Sequence, residues 1–515
     1  MLCSYCNSLF ENEPGTLLDH QPSLVSMKTA GEKGCEICAS IYAQIMNHPV
    51  NTPKGSQQSE FTVVAKTHRM ENGAKELIFY LMGHRLMEMK LVLYAVPPPM
   101  MPAMFHVRER DRGTALEQAT GASVRWLNEC LRDHDDCQKN LQPAQYPTRL
   151  LEIDESTVRL VLPDETKPNG SYAALSYCWG TKPEFLRLTP SNIGDLMKGI
   201  PQTELPIVFQ EALNILRALS IQYVWIDSLC IIQSGPEGLA DWEVESTRMD
   251  SVYSNAVLTL AINRSASPSE SITKALDIYP QLPFQVDTSI PDKSGEVYNM
   301  IPSQFYHEGL YDLPLGGRAW ALQERIVTPR VLSVGLAEFF WDCTALPYRS
   351  ESLPYGLSRL GKYAAEAWKW NMRLPATEIP EYIDQSLLGD LWLRLVEDYT
   401  KRDLSFPAKD KLAAISAIAS RFSHAMDDVY IAGHFLRMLP HSLMWKAVDE
   451  DPSARWIGKR GGADNAPSAM CRSRWQCPSC TIVELGIHAW VNRLLDYADA
   501  RMFYHGDLVN SVTWK

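Results

Sequence analysis

Four cysteines near the start of the chain have the spacing of metal ligands. Cys3 and Cys6 form one Cys-x2-Cys pair, and Cys35 and Cys38 form a second pair after 28 intervening residues. Four thiolates in two such pairs suit a tetrahedral zinc ion, and a site closed by four thiolates is structural, not catalytic. The segment between the pairs is longer than in common zinc ribbons. We therefore predict a structural zinc site, with four partly buried free cysteines on short helices as the alternative.

A second group of metal-type residues follows at helical spacing. Cys130, His134 and Cys137 fall at i, i+4 and i+7, so their side chains project from one face of a helix. Three ligands leave a tetrahedral site incomplete unless a fourth comes from elsewhere in the chain. Core packing is therefore favoured over metal binding for these residues, and the pair Cys477 and Cys480 is a weaker signal still.

A carboxylate in the middle of the chain lies on the apolar face of a predicted helix. Trp242 and Met249 belong to an apolar stripe, on which Glu245 also falls but Glu243 does not. A carboxylate on an inward face must be paired, hydrogen-bonded or directed into a cleft. Glu245 is therefore a candidate catalytic residue. The alternative is a buried structural carboxylate, bonded to a strand end or to Arg248.

The elements around Glu245 alternate between strand and helix. The apolar run 172–177 predicts a buried strand, and Pro206 opens a helical pattern that continues to residue 220. Residues 223–226 predict a second strand, residues 241–255 a second helix and residues 257–262 a third strand. The order β-α-β-α-β implies a parallel sheet with right-handed crossovers.

The carboxyl ends of these strands carry the candidate ligand-binding residues, because ligands of parallel α/β sheets bind at that edge. Asp227 follows the second strand directly, where capping of the next turn is an alternative role. Two roles are open for Arg318 and residues 323–325. They supply charge to the same cleft, or an Arg–Glu pair among them holds this part of the chain together, and the second role is favoured. The candidate binding residues are Ser176, Tyr177, Trp179, Gly180, Asp227 and Ser228 at the strand ends and Trp242 on the helix.

The composition is that of a folded, acidic protein. Of 515 residues, 45% are hydrophobic and 21% charged, which excludes the disordered class. The formal charge of −12 repels phosphate groups, so neither nucleic acid nor an anionic membrane is expected as the principal partner. No apolar run approaches the roughly 18 to 20 residues of a membrane-spanning helix, and no signal peptide is recognisable. Twelve cysteines without a secretion signal predict a reducing, cytoplasmic location.

Five sequence blocks resemble the fungal heterokaryon-incompatibility (HET) domain. They occur in the order and at the separations typical of that family. Segments at 126–137 and 430–445 also resemble its members. The five blocks are 172–180 (YAALSYCWG), 223–233 (YVWIDSLCIIQ), 241–249 (DWEVESTRM), 252–256 (VYSNA) and 318–325 (RAWALQER).

The resemblance implies a role in fungal non-self recognition, programmed cell death and innate immunity, and a core similar to the Toll/interleukin-receptor (TIR) fold. Some TIR domains cleave NAD through a glutamate in a Trp-x-x-Glu arrangement, and Trp242 to Glu245 occupies a similar place here. The resemblance thus implies cleavage of NAD at the nicotinamide N-glycosidic bond, with Glu245 holding the ribose and offsetting its positive charge. The alternative is a non-enzymatic module that acts by assembly with an incompatibility or signalling protein, or with further copies of itself.

Together these features predict an α/β protein with a TIR/flavodoxin-like parallel sheet core and additional helical regions. Residues 1–150 are predicted to form a Cys-bearing N-terminal region, and residues 151–350 the HET domain, with its motif core at 172–330. Residues 351–467 are predicted to form a mainly helical lobe. The tail 468–515 departs from the family pattern, which is typical of a mis-spliced or frameshifted gene model or of a truncated variant.

Overall fold

The structure is a computed structural model. It divides the chain into two compact units, Met1–Arg437 and Met438–Lys515, and almost all of the described residues belong to the first. The predicted tail and the pair Cys477 and Cys480 lie outside the described residues. The described residues are 2–47, 60–69, 74–83, 86–96, 115–138, 145–181, 183–272, 283–288, 295–303, 305–346, 349–353, 385–439 and 442.

The first unit contains both strands and helices. The strands are β1 (Leu18–Gln21), β2 (Phe61–Arg69), β3 (Lys75–Gly83), β4 (Leu86–Val96), β5 (Leu150–Ile153), β6 (Thr157–Val161), β7 (Tyr172–Ser176), β8 (Ile200–Pro201), β9 (Tyr223–Trp225), β10 (Leu258–Ile262), β11 (Phe284–Asp287), β12 (Val297–Pro302), β13 (Arg330–Val334), β14 (Phe339–Cys343), β15 (Arg349–Ser350), β16 (Tyr430–Ile431) and β17 (His434–Phe435). The α-helices are α1 (Ser4–Glu11), α2 (Leu24–Glu32), α3 (Glu36–Asn47), α4 (Ala115–Asp133), α5 (Asp135–Gln138), α6 (Pro163–Thr166), α7 (Ile193–Lys198), α8 (Ile207–Ala218), α9 (Asp227–Cys230), α10 (Gly235–Asn255), α11 (Ala319–Val327), α12 (Gln385–Thr400), α13 (Pro407–Asp410) and α14 (Ala413–Met426). Shorter turns of 3-10 helix cover Gln202–Glu204, Pro314–Gly317 and Leu436–Met438, and a π-helical turn covers His307–Tyr311.

The predicted β-α-β-α-β order is confirmed in β7, α8, β9, α10 and β10. The second helix begins at Gly235, about two turns before the predicted start, because Pro236 occupies its first turn, where the missing N–H is tolerated. Every residue of the three strands is buried. Strands buried throughout in this way are typical of a sheet that is covered on both faces.

The central sheet is mixed. Among the described strands its order is β15-β14-β13-β10-β7-β9-β5-β6-β8, and only the pairings along β13, β10, β7 and β9 are parallel. The edge strands form hairpins such as β5–β6 and β13–β14, whose short connections force antiparallel pairing. The α/β class is confirmed. A TIR/flavodoxin-like parallel core is not confirmed, because most pairings in the structure are antiparallel.

A second sheet packs against the helices that carry the N-terminal cysteines. It has the order β1-β2-β3-β4-β12-β11, and all of its described pairings are antiparallel. The side chains of α1 to α3 pack on it in one apolar cluster that includes Cys6, Met27, Ile41 and Phe79. Two of its strands, β11 and β12, come from residues beyond β10. The sheet therefore joins segments of chain that are about 200 residues apart, and the predicted domain boundaries stay predictions.

The helical segment after β15 packs on α11. The backbone amide of Ala417 donates a hydrogen bond of 2.9 Å to the side chain of Gln323, and Arg421 forms an ion pair of 2.8 Å with Asp250 on α10. The helices α10, α11 and α14 are thereby held together beside the central sheet. Among the described helices, none combines the length and the apolar character needed to cross a membrane.

Candidate active site and candidate metal centre

Asp227 is the centre of a hydrogen-bond network at the carboxyl ends of β7 and β9. Its carboxylate accepts hydrogen bonds from the Tyr177 hydroxyl at 2.7 Å, from the Trp179 indole N–H at 2.8 Å and from the backbone amide of Ser228 at 2.6 Å. The Tyr177 hydroxyl also lies 2.8 Å from the Ser228 hydroxyl. The structure thus brings together four of the residues predicted to bind a ligand. The bond to the amide of Ser228 shows that Asp227 also stabilises the start of α9.

Gly180 allows the chain to turn sharply after this network. Its φ of +80° lies in the left-handed region, and an added Cβ would lie 3.1 Å from the side chain of Ser267. Glycine adopts this conformation without steric cost. Trp179, the preceding residue, packs edge-on against Phe185 at 5.8 Å between ring centroids. The turn therefore fixes the direction of the indole N–H that donates to Asp227.

Glu324 on α11 brings a second carboxylate to the same edge of the sheet. It accepts a hydrogen bond from the Ser176 hydroxyl at the end of β7, and Tyr253 is another hydrogen-bond partner. Burial raises the pKa of Glu324 to about 7, against the lowering effect of the bond from Ser176 and of the charge on Arg318. Both Glu324 and Asp227 keep part of their surface exposed to solvent. Glu324 is therefore a half-buried residue whose carboxyl group changes its charge near neutral pH.

Burial also raises the pKa of Asp227, although three hydrogen bonds and the charge of Arg318 oppose the shift. Arg318 donates a hydrogen bond to the backbone carbonyl of Tyr177, and its charge lowers the pKa of both carboxyl groups. The sequence favours an Arg–Glu pair within residues 318–325 as the role of these charges. In the structure Arg325 pairs with Asp342, whereas Glu324 belongs to the strand-end network.

Glu245 has different partners. It is 2% exposed, and its carboxylate accepts a hydrogen bond of 2.6 Å from Thr148, just before β5. Arg248 lies 3.7 Å from the same oxygen. The ring of Trp242 is covered by the ammonium group of Lys409, 3.3 Å from its centroid. These contacts match the structural alternative for Glu245, and its catalytic role stays a prediction.

A buried ion pair beside Glu245 was missed by the sequence analysis. Arg149 forms two hydrogen bonds with Asp241, at 2.5 and 3.0 Å, and donates a third to the carbonyl of Cys230 at 2.6 Å. Asp241 also accepts a bond of 2.8 Å from the amide of Ile232. These contacts attach the start of α10 to β5 and α9. No local pattern in the sequence indicates that Arg149, 92 residues earlier, is the partner of Asp241.

A small cavity adjoins the strand ends. It is lined by Ser176, Asn263 and Arg325, among others, and has a volume of about 20 Å³, which is room for about one water molecule. The side-chain oxygen of Asn263 is buried and has no hydrogen-bond partner among the described residues. The cavity therefore offers a polar position next to the Ser176–Glu324 pair.

The four N-terminal cysteines converge as predicted. Their sulfur atoms all lie within 4.8 Å of one another, with separations of 3.7 Å for Cys3–Cys38, 3.6 Å for Cys6–Cys38 and 3.5 Å for Cys6–Cys35. Four ligands at a zinc–sulfur distance of roughly 2.3 Å would have their sulfur atoms about 3.8 Å apart. The cluster can therefore hold a metal ion such as zinc.

The surroundings of this cluster explain the long spacing between its pairs. The chain between the pairs completes α1 and forms β1 and α2, and β1 places two polar side chains next to the sulfur atoms. His20 lies 3.2 Å from the sulfur of Cys6, and burial lowers its pKa to about 4, so the ring is neutral at neutral pH. Gln21 donates to the sulfurs of Cys3 and Cys38 at 3.7 and 3.6 Å. Such donors favour thiolates over thiols.

Comparison with known proteins agrees with the sequence blocks. Residues 172–324 match the family model described as Heterokaryon incompatibility protein (HET). No curated protein and no solved structure matches the chain. The matched segment begins at β7 and ends at Glu324, so it contains both carboxylates of the strand-end network. A similarity of its core to the TIR fold is not confirmed. Residues 172–324 are therefore similar to the heterokaryon incompatibility domain.

Proposed function

We propose that this protein acts in the cytoplasm in heterokaryon incompatibility, and that its HET domain cleaves NAD between nicotinamide and ribose. The observation that carries the proposal is the pair of carboxyl groups at the strand ends, which belong to the half-buried residues Asp227 and Glu324. The pKa of Glu324, raised by burial to about 7, suits a group that accepts or donates a proton at neutral pH.

The chemistry of the bond fits these groups. When the C1′–N bond breaks, nicotinamide leaves with the bonding electrons and positive charge develops on the ribose. A nearby carboxylate stabilises this charge, as in glycosidases. Water then forms a bond to C1′ and gives its proton to the Glu324 carboxylate. Asp227, held by Tyr177 and Trp179, offers oxygen atoms to the ribose hydroxyls.

Glu245 is the rival candidate for the catalytic carboxylate. The resemblance to TIR domains supports it, because it lies three residues after Trp242 on α10. Its bond to Thr148 supports a structural role instead. Glu324 is the better candidate on geometry, since it is more exposed and hydrogen-bonded directly to the strand end.

A non-enzymatic module is the second candidate function. The cavity beside Ser176 has a volume of about 20 Å³, whereas pockets for small molecules usually measure about 300–1,000 Å³. If the strand-end site does not admit a small molecule, its surface would instead bind an incompatibility or signalling protein, or a second copy of the chain. Cleavage requires the site to open and admit the dinucleotide.

One experiment separates these functions. The purified full chain is incubated with NAD, and nicotinamide is measured by chromatography. We expect release by the parent and by Glu243→Gln, whose side chain is exposed on α10, but not by Glu324→Gln. Circular dichroism and melting temperature establish that each variant is folded.

The other outcomes are equally informative. Loss of release in Glu245→Gln alone would support cleavage and assign the catalytic role to Glu245. If the parent releases no nicotinamide, yet its expression in fungal cells causes death that Glu324→Gln does not prevent, the cleavage proposal is wrong and the interaction module is favoured.

A further inference from the structure

The tertiary structure completes the second group of metal-type residues. Cys130 lies near the end of α4, His134 between α4 and α5, and Cys137 on α5, while Cys343 arrives at the end of β14. The ligand atoms of these four residues all lie within 4.8 Å of one another. The fourth residue is 209 positions away from His134 in the chain, which explains why the sequence showed only three ligands.

The distances between these atoms are those of a tetrahedral zinc site. His134 Nδ1 lies 3.5 Å from the sulfur of Cys343 and 3.9 Å from that of Cys137. With zinc–sulfur and zinc–nitrogen distances of roughly 2.3 and 2.0 Å, tetrahedral ligands have sulfur and nitrogen about 3.5 Å apart. The amide of Leu346 donates to the sulfur of Cys343 at 3.3 Å, a contact that stabilises a thiolate.

A buried positive charge next to the cluster also favours negatively charged ligands. Arg330 is fully buried, and it donates to the sulfur of Cys130 at 3.0 Å and to the carbonyls of Cys137 and Val257 at 3.0 and 3.3 Å. Among the described residues no carboxylate forms an ion pair with it. A buried guanidinium without an anion is costly. Three thiolates around one zinc ion carry a net charge of −1, which Arg330 neutralises, whereas three neutral thiols would leave its charge uncompensated.

We propose that Cys130, His134, Cys137 and Cys343 bind one structural zinc ion that clasps α4 and α5 to β14. All four positions around the ion are occupied by the protein, which leaves none for a substrate. Three of the ligands precede the matched segment 172–324 in the sequence and the fourth follows it. The zinc ion would therefore link the chain before this segment to the chain after it. This proposal is independent of any NAD cleavage and adds a second zinc to the one predicted at the N-terminus.

The proposal is tested by measuring zinc in the full chain purified without added metal. We expect about two zinc ions per chain in the parent and about one after Cys3→Ser with Cys35→Ser, which removes the N-terminal site. Adding His134→Ala to that variant should remove the remaining ion, whereas adding His134→Cys should retain it by restoring a fourth ligand. Cys230→Ser, a buried cysteine outside both clusters, should lose none.

Two results would overturn the proposal: no zinc in the variant with Cys3→Ser and Cys35→Ser, or zinc retained there after His134→Ala. His134 is only half-buried, so its loss should leave the fold measurable by circular dichroism. Cobalt binding gives a second readout, measured on the variant that carries only Cys3→Ser and Cys35→Ser. One equivalent should produce thiolate-to-cobalt charge-transfer absorption, and its absence would also contradict the site.

Discussion

Replacing Glu324 by Gln tests the electrostatics of the strand-end site. Burial raises the pKa of Glu324 from 4.5 to about 7 in the folded chain. A carboxyl group with a raised pKa holds its proton more tightly when folded, so its stabilising contribution is present below about pH 4.5 and is lost as the pH rises through about 7. At roughly 1.4 kcal/mol per pKa unit, the full loss is about 3 kcal/mol of the free energy of unfolding.

Glutamine has no titrating group, so Glu324→Gln does not suffer this loss. We expect the free energy of unfolding of the variant, relative to the parent, to rise by about 2.5 kcal/mol between about pH 5 and about pH 8. Urea denaturation followed by tryptophan fluorescence measures it at each pH. Protonation of groups that do not interact with Glu324, including the two cysteine clusters, affects both proteins alike and cancels in the difference.

Glu243→Gln is the matched control, because Glu243 is exposed on α10 and its removal should leave the pH profile parallel to that of the parent. A parallel profile for Glu324→Gln as well would refute the reasoning. It would mean that Glu324 ionises in the folded chain as it does in the unfolded one, and that the site is well hydrated.

Two further pairs of substitutions test the packing around the site. Arg149→Met leaves the carboxylate of Asp241 without its guanidinium partner, with only the amide of Ile232 bonded to it, and should cost about 3–5 kcal/mol in urea denaturation, whereas Lys198→Met, in an exposed pair, should leave stability unchanged. Gly316→Ala would place Cβ 1.8 Å from the carbonyl oxygen of Tyr311 and should cost about 1–3 kcal/mol, whereas Gly194→Ala meets no atom within 4 Å and should not lower the melting temperature. Equal effects within either pair would contradict the packing described.

Local patterns were sufficient to predict the central elements. The strand at 172–176, the helix opened by Pro206 and the strand at 223–225 were found from their apolar periodicity, which depends only on near neighbours in the chain. The strand-end network of Asp227 was anticipated for the same reason, since the ends of adjacent parallel strands meet at one edge. The start of α10 was predicted too late. The first turn of this helix contains Pro236 and does not follow the apolar periodicity from which the helix was predicted.

Contacts between distant segments could not be predicted in this way. The antiparallel edges of the central sheet and the addition of β11 and β12 to the N-terminal sheet depend on which strands meet, and each strand pattern allows many partners. Glu324 was read as part of an ion pair because nothing near it in sequence indicates Ser176 as its partner.

The two cysteine clusters show most clearly which features follow from the sequence and which follow from the tertiary structure. The sequence by itself predicted which four cysteines of the N-terminal region come together, because each of its two pairs has the Cys-x2-Cys spacing of metal ligands. It also indicated that Cys130, His134 and Cys137 lie close together, although a break at His134, between α4 and α5, interrupts the single helix that their spacing predicts. Only the tertiary structure decided that Cys343 completes that set, because its approach depends on the folding of β13 and β14 against α4 and on no property of its neighbours in the chain.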